Sequence, residues 1–321
     1  MTKTTVVIDG DIVAFRCAAA NETRSIRVTH KVTGNTNDHA HRTAFKEHIR
    51  GVFEIDEFDI DDVQTASDIS YAYHAIDSSI DAIVAACFAD EVEVYMSGEG
   101  NFRLELPLPT QYKGNREELL RPLQLARCRE YLVTKYKAVK VDGKETDDKL
   151  AERVYQGVQA KEKIIQATLD KDANSNVGWL YNWNKMTKPT KISGLGTLTL
   201  NEKKELSGYS RKWFYAQWVL GDSTDGFKPC QIAGKKFGDV GAFNLLNECK
   251  DDKECVQAVY DQYKKWYPKA VTYKAWDGKE YTKNALDLMD LYAACAHMER
   301  WDGDRLNTRE MLTKLGIEYA E

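Results

Sequence analysis

The sequence predicts an α/β protein with a central, mostly parallel, twisted sheet flanked by helices. Short apolar, β-branched runs alternate along the chain with longer helical patterns, which is the arrangement of α/β folds. Several of these runs end in aspartate or glutamate. Functional groups of open α/β sheets gather at the carboxyl ends of the strands, so these acids are the first candidates for a functional site.

The overall composition is that of a globular protein with room for one large domain or two. Its 50 acidic residues against 45 lysines and arginines give a net charge of −5, which by itself does not indicate a polyanionic partner. The seven cysteines are scattered and include no C-x-x-C pair, as expected of reduced thiols in a cytoplasm. No apolar run approaches the length of a membrane span, so no membrane partner is expected.

The first element is a buried strand at residues 4–8, which ends in Asp9 and leads into a helix over residues 12–20. Asp9 is therefore a site candidate, although Asp9 or Asp11 could simply cap the helix. The following patterns predict a hairpin or irregular insertion at residues 22–36, a helix at 40–49 and an acidic solvated loop or edge at 54–62. A long helix is predicted at residues 64–89 and a second core strand at 91–96.

The middle of this acidic chain is basic. Residues 103–144 contain ten basic and five acidic residues, and much of 117–136 has a helical pattern. Tyrosines are interleaved with the basic residues, which suits contact with a phosphate backbone and with stacked bases. The alternative is a basic helix exposed to solvent.

A third strand, at residues 137–141, precedes the carboxylates Glu145, Asp147 and Asp148 at the start of an amphipathic helix. Acids are favoured at a helix N-terminus, so an acidic first turn is the alternative to a functional cluster.

A fourth strand, at residues 164–169, ends in Asp170 and Asp172, whose side chains share one side at a period of two. An aromatic-rich helix at residues 209–220 stops at a turn that contains Asp222 and Asp225. The remaining patterns predict a fifth strand at residues 178–183, a hairpin at 191–200 and two helices at 252–266 and 284–300. Between them, residues 232–246 form a helix-hairpin-helix-like stretch whose backbone amides can bind one phosphate.

Carboxylates gathered in one place repel each other unless cations neutralise them. Oxygen ligands without histidine or cysteine suit the hard ions Mg²⁺ or Mn²⁺. Two such ions about 4 Å apart serve phosphodiester hydrolysis, because one activates water and both stabilise the charged transition state. The acids of this set are Asp9, Glu145, Asp147, Asp148, Asp170, Asp172, Asp222 and Asp225.

The order of the short motifs resembles the FEN-type 5′-nuclease family, which has a PIN-like fold, and is most similar to the podophage 5′-3′ exonucleases. The matching pieces span roughly residues 6–246 and read VVIDGD, NFR, YKGNR, ETDDKLA, LDKD, VLGDSTDG and IAGKKFG. The resemblance implies a nuclease core over residues 1–205, with a helical arch at about 101–140. It also implies a helical region over residues 206–321 with a helix-hairpin-helix-like DNA-binding motif.

Carried over residue by residue, the resemblance assigns Asp9, Glu145, Asp147 and Asp148 to one metal, either as direct ligands or as groups of its outer coordination shell. It assigns Asp170, Asp172, Asp222 and Asp225 to the second metal. Lys113 and Arg116 would contact the scissile phosphate as electrostatic catalysts. Nucleic-acid contacts are expected from Tyr112, Arg103, Gly234, Lys235, Lys236 and Gly238. The glycine-containing motif is also expected to bind K⁺ through carbonyl groups.

One position departs from the family pattern. Relatives place an aspartate at the end of the second strand, whereas this chain reads Met96, Ser97, Gly98 and Glu99. Glu99 is therefore a substitute ligand from a shifted position, or that ligand is missing.

The resemblance implies a Mg²⁺-dependent 5′-3′ exonuclease or flap endonuclease that acts on DNA ends, flaps and nicked duplex, and on RNA primers in RNA–DNA hybrids, during phage DNA replication. A monomer in the host cytoplasm, with replication proteins as partners, is expected. Two alternatives remain open: a PIN-like ribonuclease, and a non-catalytic DNA-binding protein with the same fold.

Overall fold

The computed structural model describes residues 3–116 and 119–320. The chain divides into two compact units. Unit 1 comprises Met1–Gly10, Ala82–Leu119 and Lys137–Glu321, and unit 2 comprises Asp11–Asp81 and Leu120–Tyr136. The domain boundary expected at residue 205 lies inside unit 1 and stays a prediction.

The described residues form both strands and α-helices. In chain order the strands are β1 (Thr4–Asp9), β2 (Glu22–His30), β3 (Thr36–His39), β4 (Phe58–Ala66), β5 (Glu91–Ser97), β6 (Val139–Val141), β7 (Lys163–Ala167), β8 (Gly178–Tyr181), β9 (Thr190–Ile192), β10 (Leu198–Leu200), β11 (Leu206–Gly208), β12 (Val271–Lys274) and β13 (Glu280–Lys283). The helices are α1 (Gly10–Ala20), α2 (Arg42–Ile49), α3 (Ile69–Cys87), α4 (Leu125–Tyr136), α5 (Thr146–Ala160), α6 (Ser210–Leu220), α7 (Asp239–Leu246), α8 (Asp252–Trp266), α9 (Ala285–Ala296) and α10 (Thr308–Lys314).

The main sheet of unit 1 has six strands in the order β6-β5-β1-β7-β8-β9. All its neighbouring pairs are parallel except β8 and β9. All six residues of β1 are buried, as expected of a central strand that is covered on both faces. The predicted α/β class with a mostly parallel sheet is confirmed.

Helix α5 packs against this sheet through the apolar side of its amphipathic pattern. Its Leu150 and Val154 form a buried cluster with Val7 of β1, Tyr95 of β5 and Ile164 of β7. This packing fixes the start of α5, and with it residues 145–148, against the central strands.

The C-terminal part of unit 1 is mostly helical and has its own large aromatic core. Trp218 of α6 is fully buried, and its indole Nε1 donates to the carbonyl of Met289 in α9 at 2.8 Å. Tyr263 of α8 is also buried and donates to the carbonyl of Trp218 at 2.7 Å. Trp218 and Tyr263 thus place their polar atoms on backbone carbonyls, which avoids the cost of burying an unpaired donor.

Unit 2 contains an antiparallel sheet in the order β3-β2-β4, which confirms the hairpin predicted after α1. Phe45 and Ile49 of α2 cover this sheet by packing on Ile26 and Val28 of β2. Strand β4 occupies one edge of the sheet and carries Asp59, Asp61 and Asp62 of the acidic segment 54–62, so part of this segment forms an acidic edge, one of the two predicted forms.

Some element predictions are wrong. The hairpin predicted at residues 191–200 does not form, because β9 pairs with β8 while β10 pairs with β11. Residues 64–66 belong to β4 rather than to the long helix, which begins at Ile69. A helix was predicted over residues 117–136, but α4 begins at Leu125. Residues 117 and 118 of the predicted range lie outside the described residues. The predicted helical arch, which includes those two residues, stays a prediction.

Helices long and apolar enough to cross a membrane are absent from the described residues.

Candidate functional site

Asp9 lies at the carboxyl end of β1, at an edge of the sheet that several chain segments share. β1 pairs in parallel with β5 on one side and with β7 on the other, so the ends of these strands meet at one edge. A Cβ atom on Gly10 would lie only 2.7 Å from Cγ of Met96 in β5. A glycine is therefore needed where α1 begins, and this close approach fixes the backbone next to Asp9.

The acidic cluster after β6 begins α5, as the alternative reading of an acidic first turn predicted. Glu145 is the N-cap residue, and its backbone N–H donates to Oδ2 of Asp148 at 3.1 Å in a capping box. The cap accounts for Glu145 and Asp148 but does not involve Asp147.

Asp148 is fully buried in a bidentate ion pair with Arg103. The two guanidinium nitrogens of Arg103 donate to Oδ2 and Oδ1 of Asp148 at 2.6 and 2.8 Å. Arg103 also donates to the carbonyl of His297 at 2.8 Å, and the Glu299 N–H donates to Asp148 at 3.0 Å. The prediction that Arg103 contacts nucleic acid is wrong, because its exposed fraction is 0%. Both carboxylate oxygens of Asp148 are engaged in these bonds.

Asp147 lies in an electrostatic environment that disfavours its charged form. Its Oδ1 atom is buried and has no hydrogen-bond partner within the described residues. Burial raises the pKa of Asp147 well above its usual value, and the charges of Asp170, Asp9 and Glu145 raise this pKa further. The structure therefore brings these four predicted acids close enough to repel one another.

A hydrogen-bonded chain joins the end of β1 to the turn after β7. The Thr168 hydroxyl donates to Oδ2 of Asp9 at 3.1 Å and accepts the N–H of Asp170 at 3.2 Å. Oδ1 of Asp170 in turn accepts the N–H of Asp172 at 2.8 Å. Thr168, which sequence reasoning missed, thus sets the position of both Asp9 and Asp170.

Lys113 lies between two of the acids and neutralises part of their charge. Its ammonium group is hydrogen-bonded to Oε1 of Glu145 and lies 3.7 Å from Oδ2 of Asp225. Burial opposes the charged form of Lys113, but the charges of Glu145 and Asp225 prevail and raise its pKa. Arg116 donates to Oδ1 of Asp225 at 2.5 Å. The two predicted cations are therefore at the carboxylate cluster.

Tyr112 lies beneath these ion pairs. Its hydroxyl donates to Asp225 at 2.8 Å and to Glu145 at 3.2 Å. Burial and the charges of these two acids raise the pKa of Tyr112 well above its usual value, so the phenol stays a donor. The prediction that Tyr112 stacks on DNA is wrong, because its ring is 1% exposed.

The turn after α6 presents Asp222 and Asp225. Gly221 has a positive φ of 78°, and a Cβ atom there would lie 2.4 Å from the carbonyl oxygen of Phe227. Asp222 and Phe227 exchange two backbone hydrogen bonds, at 2.9 and 3.0 Å. The glycine thus lets the chain close a tight loop that places both acids just after the end of α6.

Lys171 forms a second ion-pair group that sequence reasoning missed. Its ammonium group lies 2.8 Å from Oδ1 of Asp172 and 2.5 Å from Oδ2 of Asp222. The side-chain amide of Gln217 also donates to Asp172, and the indole of Trp213 donates to the carbonyl of Lys171 at 2.9 Å. Its place between Asp170 and Asp172 in the LDKD motif is the feature of the sequence that could have predicted this ion pair.

The glycine-containing segment ahead of α7 forms an exposed turn. Lys235 and Lys236 are exposed, Gly234 has a positive φ of 62°, and Gly238 is the N-cap residue of α7. The structure therefore places these four predicted residues together on the surface.

The end of β5 carries no carboxylate of the cluster. The Ser97 hydroxyl lies 2.9 Å from the hydroxyl of Thr146 in α5. Glu99 is exposed, and its backbone N–H donates to Asp142 at 2.7 Å. The charges that act most strongly on Asp147 are those of Asp170, Asp9, Glu145 and Lys113, and the role of Glu99 as a substitute ligand stays a prediction.

The site fits cations in charge and donor type. Its donors are carboxylate oxygens, as Mg²⁺ and Mn²⁺ prefer, and the buried Oδ1 of Asp147 lacks a partner. The described residues nevertheless contain no group of three acidic, histidine or cysteine side chains at metal-binding spacing. Several of the acids are instead bonded to Arg103, Lys113, Arg116 and Lys171.

No protein-family model and no curated protein sequence matches this chain significantly. Solved structures do match in fold, among them the following two. The D15 protein of bacteriophage T5, co-crystallised with metal ions, has a TM-score of 0.52 at 13% identity over 98% of this chain and 97% of its own. The T5 5′-exonuclease with bound zinc has a TM-score of 0.51 at 15% identity over the same shares. This chain therefore has the α/β fold of the T5 5′-exonuclease.

Proposed function

We propose that this protein is a FEN-type, divalent-metal-dependent 5′-nuclease that hydrolyses DNA phosphodiesters as an exonuclease or flap endonuclease. One observation carries the proposal: Asp147, with a buried and unpartnered oxygen, is surrounded by Asp9, Asp170 and Glu145 beside the cation Lys113. A cluster of mutually repelling carboxylates next to a cation suits metal ions and a phosphate bound together. The solved structures of the same fold are described as a 5′-exonuclease and as a protein co-crystallised with metal ions.

Two metal ions, Mg²⁺ or Mn²⁺, are the proposed cofactors. Asp9, Asp147, Asp170 and Glu145 are the proposed holders of the first ion, and Asp172, Asp222 and Asp225 those of the second. When bound, the ions supply an activated water molecule and stabilise the charge that develops on the phosphate. Asp148 is proposed to position the start of α5 rather than to bind metal, because Arg103 and two backbone N–H groups occupy its oxygens.

Lys113 and Arg116 are proposed to hold the scissile phosphate. Both are bonded to carboxylates of the cluster, and Arg116 is half exposed. A phosphate oxygen that takes the place of Glu145 or Asp225 at these cations stays next to the cluster. Their positive charge then stabilises the transition state more than the ground state, since negative charge develops there.

The exposed turn formed by Gly234, Lys235, Lys236 and Gly238 is the proposed contact with the duplex backbone. Its lysines offer charge, and the N-terminus of α7 offers backbone N–H groups. A K⁺ ion at this turn, activity on RNA–DNA hybrids, replication-protein partners, a monomeric state and a cytoplasmic location stay predictions.

The decisive experiment compares cleavage of a 5′-labelled DNA flap, a nicked duplex and a single-stranded RNA, each with Mg²⁺, with Mn²⁺ and with EDTA. We expect metal-dependent release from the 5′ end of both DNA substrates. Asp147→Ala is expected to abolish turnover yet to leave DNA binding within about tenfold, since binding rests mainly on phosphate contacts. Glu162→Ala, a change at an exposed acid outside the cluster, is the matched control and keeps full activity.

Two outcomes contradict the proposal. Cleavage of the single-stranded RNA in preference to both DNA substrates would favour the PIN-like ribonuclease. Salt-dependent DNA binding by the folded protein, without cleavage in either metal, would favour a non-catalytic DNA-binding protein.

A further inference from the structure

We propose that Lys171 is a built-in counter-ion of the second metal position, which a metal ion must displace in order to bind there. The inference rests on the proposed function, because it concerns the acids assigned above to the second ion. It adds a residue that competes with metal and makes the two positions unequal.

The contacts of Lys171 carry the inference. Its ammonium group bridges Oδ1 of Asp172 and Oδ2 of Asp222, at 2.8 and 2.5 Å. Both carboxylates are largely buried, whereas the Lys171 side chain is 49% exposed. A single positive charge therefore neutralises two buried acids from the solvent side, where a metal ion would otherwise do so.

The backbone holds Lys171 in this place, but its side chain can leave. Trp213 donates to the Lys171 carbonyl at 2.9 Å, which anchors the main chain. The ammonium group ends a flexible four-carbon chain and is strongly hydrated, so it can move into water when a divalent ion arrives. Gln217 donates to Asp172 as well, and it keeps this acid in position during such an exchange.

At the first metal position, Lys113 pairs with Glu145 and does not bridge two of the acids of that position. In the described part of the chain, neither Asp147 nor Asp170 forms an ion pair, and Oδ1 of Asp147 has no partner. A cation that binds beside Asp147 and Asp170 relieves their repulsion without breaking an ion pair of either acid. A cation that binds between Asp172 and Asp222 must first break two charge-assisted hydrogen bonds. The first ion should accordingly bind more tightly than the second.

The test is a Mn²⁺ titration of the metal-free protein without DNA, followed by the electron paramagnetic resonance signal of free Mn²⁺. The wild type should bind one Mn²⁺ tightly and a second at least about tenfold more weakly. Lys171→Met should tighten the second step by about tenfold or more, since it removes the competing charge. Lys171→Arg, which keeps the charge, should retain the weak second step, and Lys203→Met, at an exposed lysine, should behave as the wild type.

Thermal unfolding provides a second measurement that does not depend on activity. Without metal, Lys171→Met should unfold at a lower temperature than the wild type, because Asp172 and Asp222 then repel each other. Saturating Mn²⁺ should remove this difference. A merely structural lysine would leave the variant destabilised with and without Mn²⁺, and that result would overturn the proposal.

The outcomes separate this inference from the proposed function. Equal affinity at both steps in the wild type, or an unchanged second step in Lys171→Met, overturns the role of Lys171 while metal-dependent cleavage still supports a nuclease. Absence of Mn²⁺ binding in both proteins overturns the role of Lys171 and, together with absence of cleavage, the proposed function.

Discussion

Arg103 and Asp148 form a bidentate ion pair from which solvent is fully excluded. Arg103→Met leaves the Asp148 charge buried without its partner, and we expect the free energy of unfolding to fall by about 3–5 kcal/mol. Urea denaturation in EDTA measures this loss. The double variant Arg103→Met, Asp148→Leu should recover part of it, because no buried charge then remains. A loss below about 1 kcal/mol in the single variant would contradict a buried pair.

Asp147→Asn is expected to stabilise the metal-free protein at pH 7. The raised pKa means that the folded chain binds a proton more readily than the unfolded chain, whose aspartates titrate at about 3.9. The cost of the charged Asp147 is therefore present at neutral pH and disappears as the pH falls through the folded pKa toward the unfolded value.

The measurement for Asp147 is the midpoint of urea unfolding in EDTA for both proteins at several pH values between 4 and 7. The advantage of Asp147→Asn over the wild type should shrink as the pH falls. Glu162→Gln, at an exposed acid, serves as the control and should show no such trend. An advantage that is the same at every pH would argue against a raised pKa at Asp147.

Lys113→Ala is expected to lower the single-turnover rate of flap cleavage by about 100–1000-fold, the usual cost of losing one electrostatic contact to the transition state. Affinity for DNA should change by less than about tenfold, because many phosphate contacts remain. Lys113→Arg keeps the charge and should recover part of the rate. A variant that loses affinity and rate equally would assign Lys113 to DNA binding alone.

Tyr112→Phe removes the hydroxyl that donates to Asp225 and Glu145 but keeps the buried ring. Two carboxylates lose a donor, so we expect the free energy of unfolding to fall by about 1–3 kcal/mol. Affinity for single-stranded DNA, measured by fluorescence anisotropy, should stay within about twofold. Substantially weaker binding would restore the prediction that this tyrosine contacts DNA, since base stacking is worth about 1–3 kcal/mol per base.

Replacing Lys235 and Lys236 together by alanine should weaken duplex binding without changing the choice among DNA sequences. The logarithm of the binding constant falls linearly with the logarithm of the salt concentration. Each lost phosphate contact should make this fall less steep by about 0.9. The double change of Lys203 and Lys204 to alanine, at exposed lysines of another turn, is the matched control. An unchanged slope would mean that the turn before α7 does not meet the phosphate backbone.

Local pattern was enough to predict most elements of the main sheet and the long helices. The apolar run at residues 4–8 corresponds to β1, and the amphipathic pattern at residues 252–266 corresponds to α8 over its whole length. Hairpin β12–β13 and helix α10 were missed, because strands of four residues and a helix of seven carry too short a pattern.

Pairing over long distances was beyond the reach of the sequence. Arg103 lies in a basic segment and was predicted to contact nucleic acid, yet its partner Asp148 lies 45 positions away and the carbonyl it also binds lies 194 positions away. The same limit applies to Tyr112, whose burial depends on Asp225. The positions of the acids could be predicted because each follows a strand or a helix, whereas the ion pairs of Arg103 and Lys171 with these acids could not.

The carboxylates that meet beside β1 lie far apart along the chain, from Asp9 to Asp225. At about 5–20 residues per second, a ribosome needs roughly 10–40 s to make the residues between them. The basic segment of residues 103–144 leaves the ribosome well before Asp222 and Asp225. A nascent chain can therefore present positive charge to nucleic acid before its set of carboxylates is complete. The order of synthesis itself delays completion of this set of carboxylates until about two thirds of the protein has been translated.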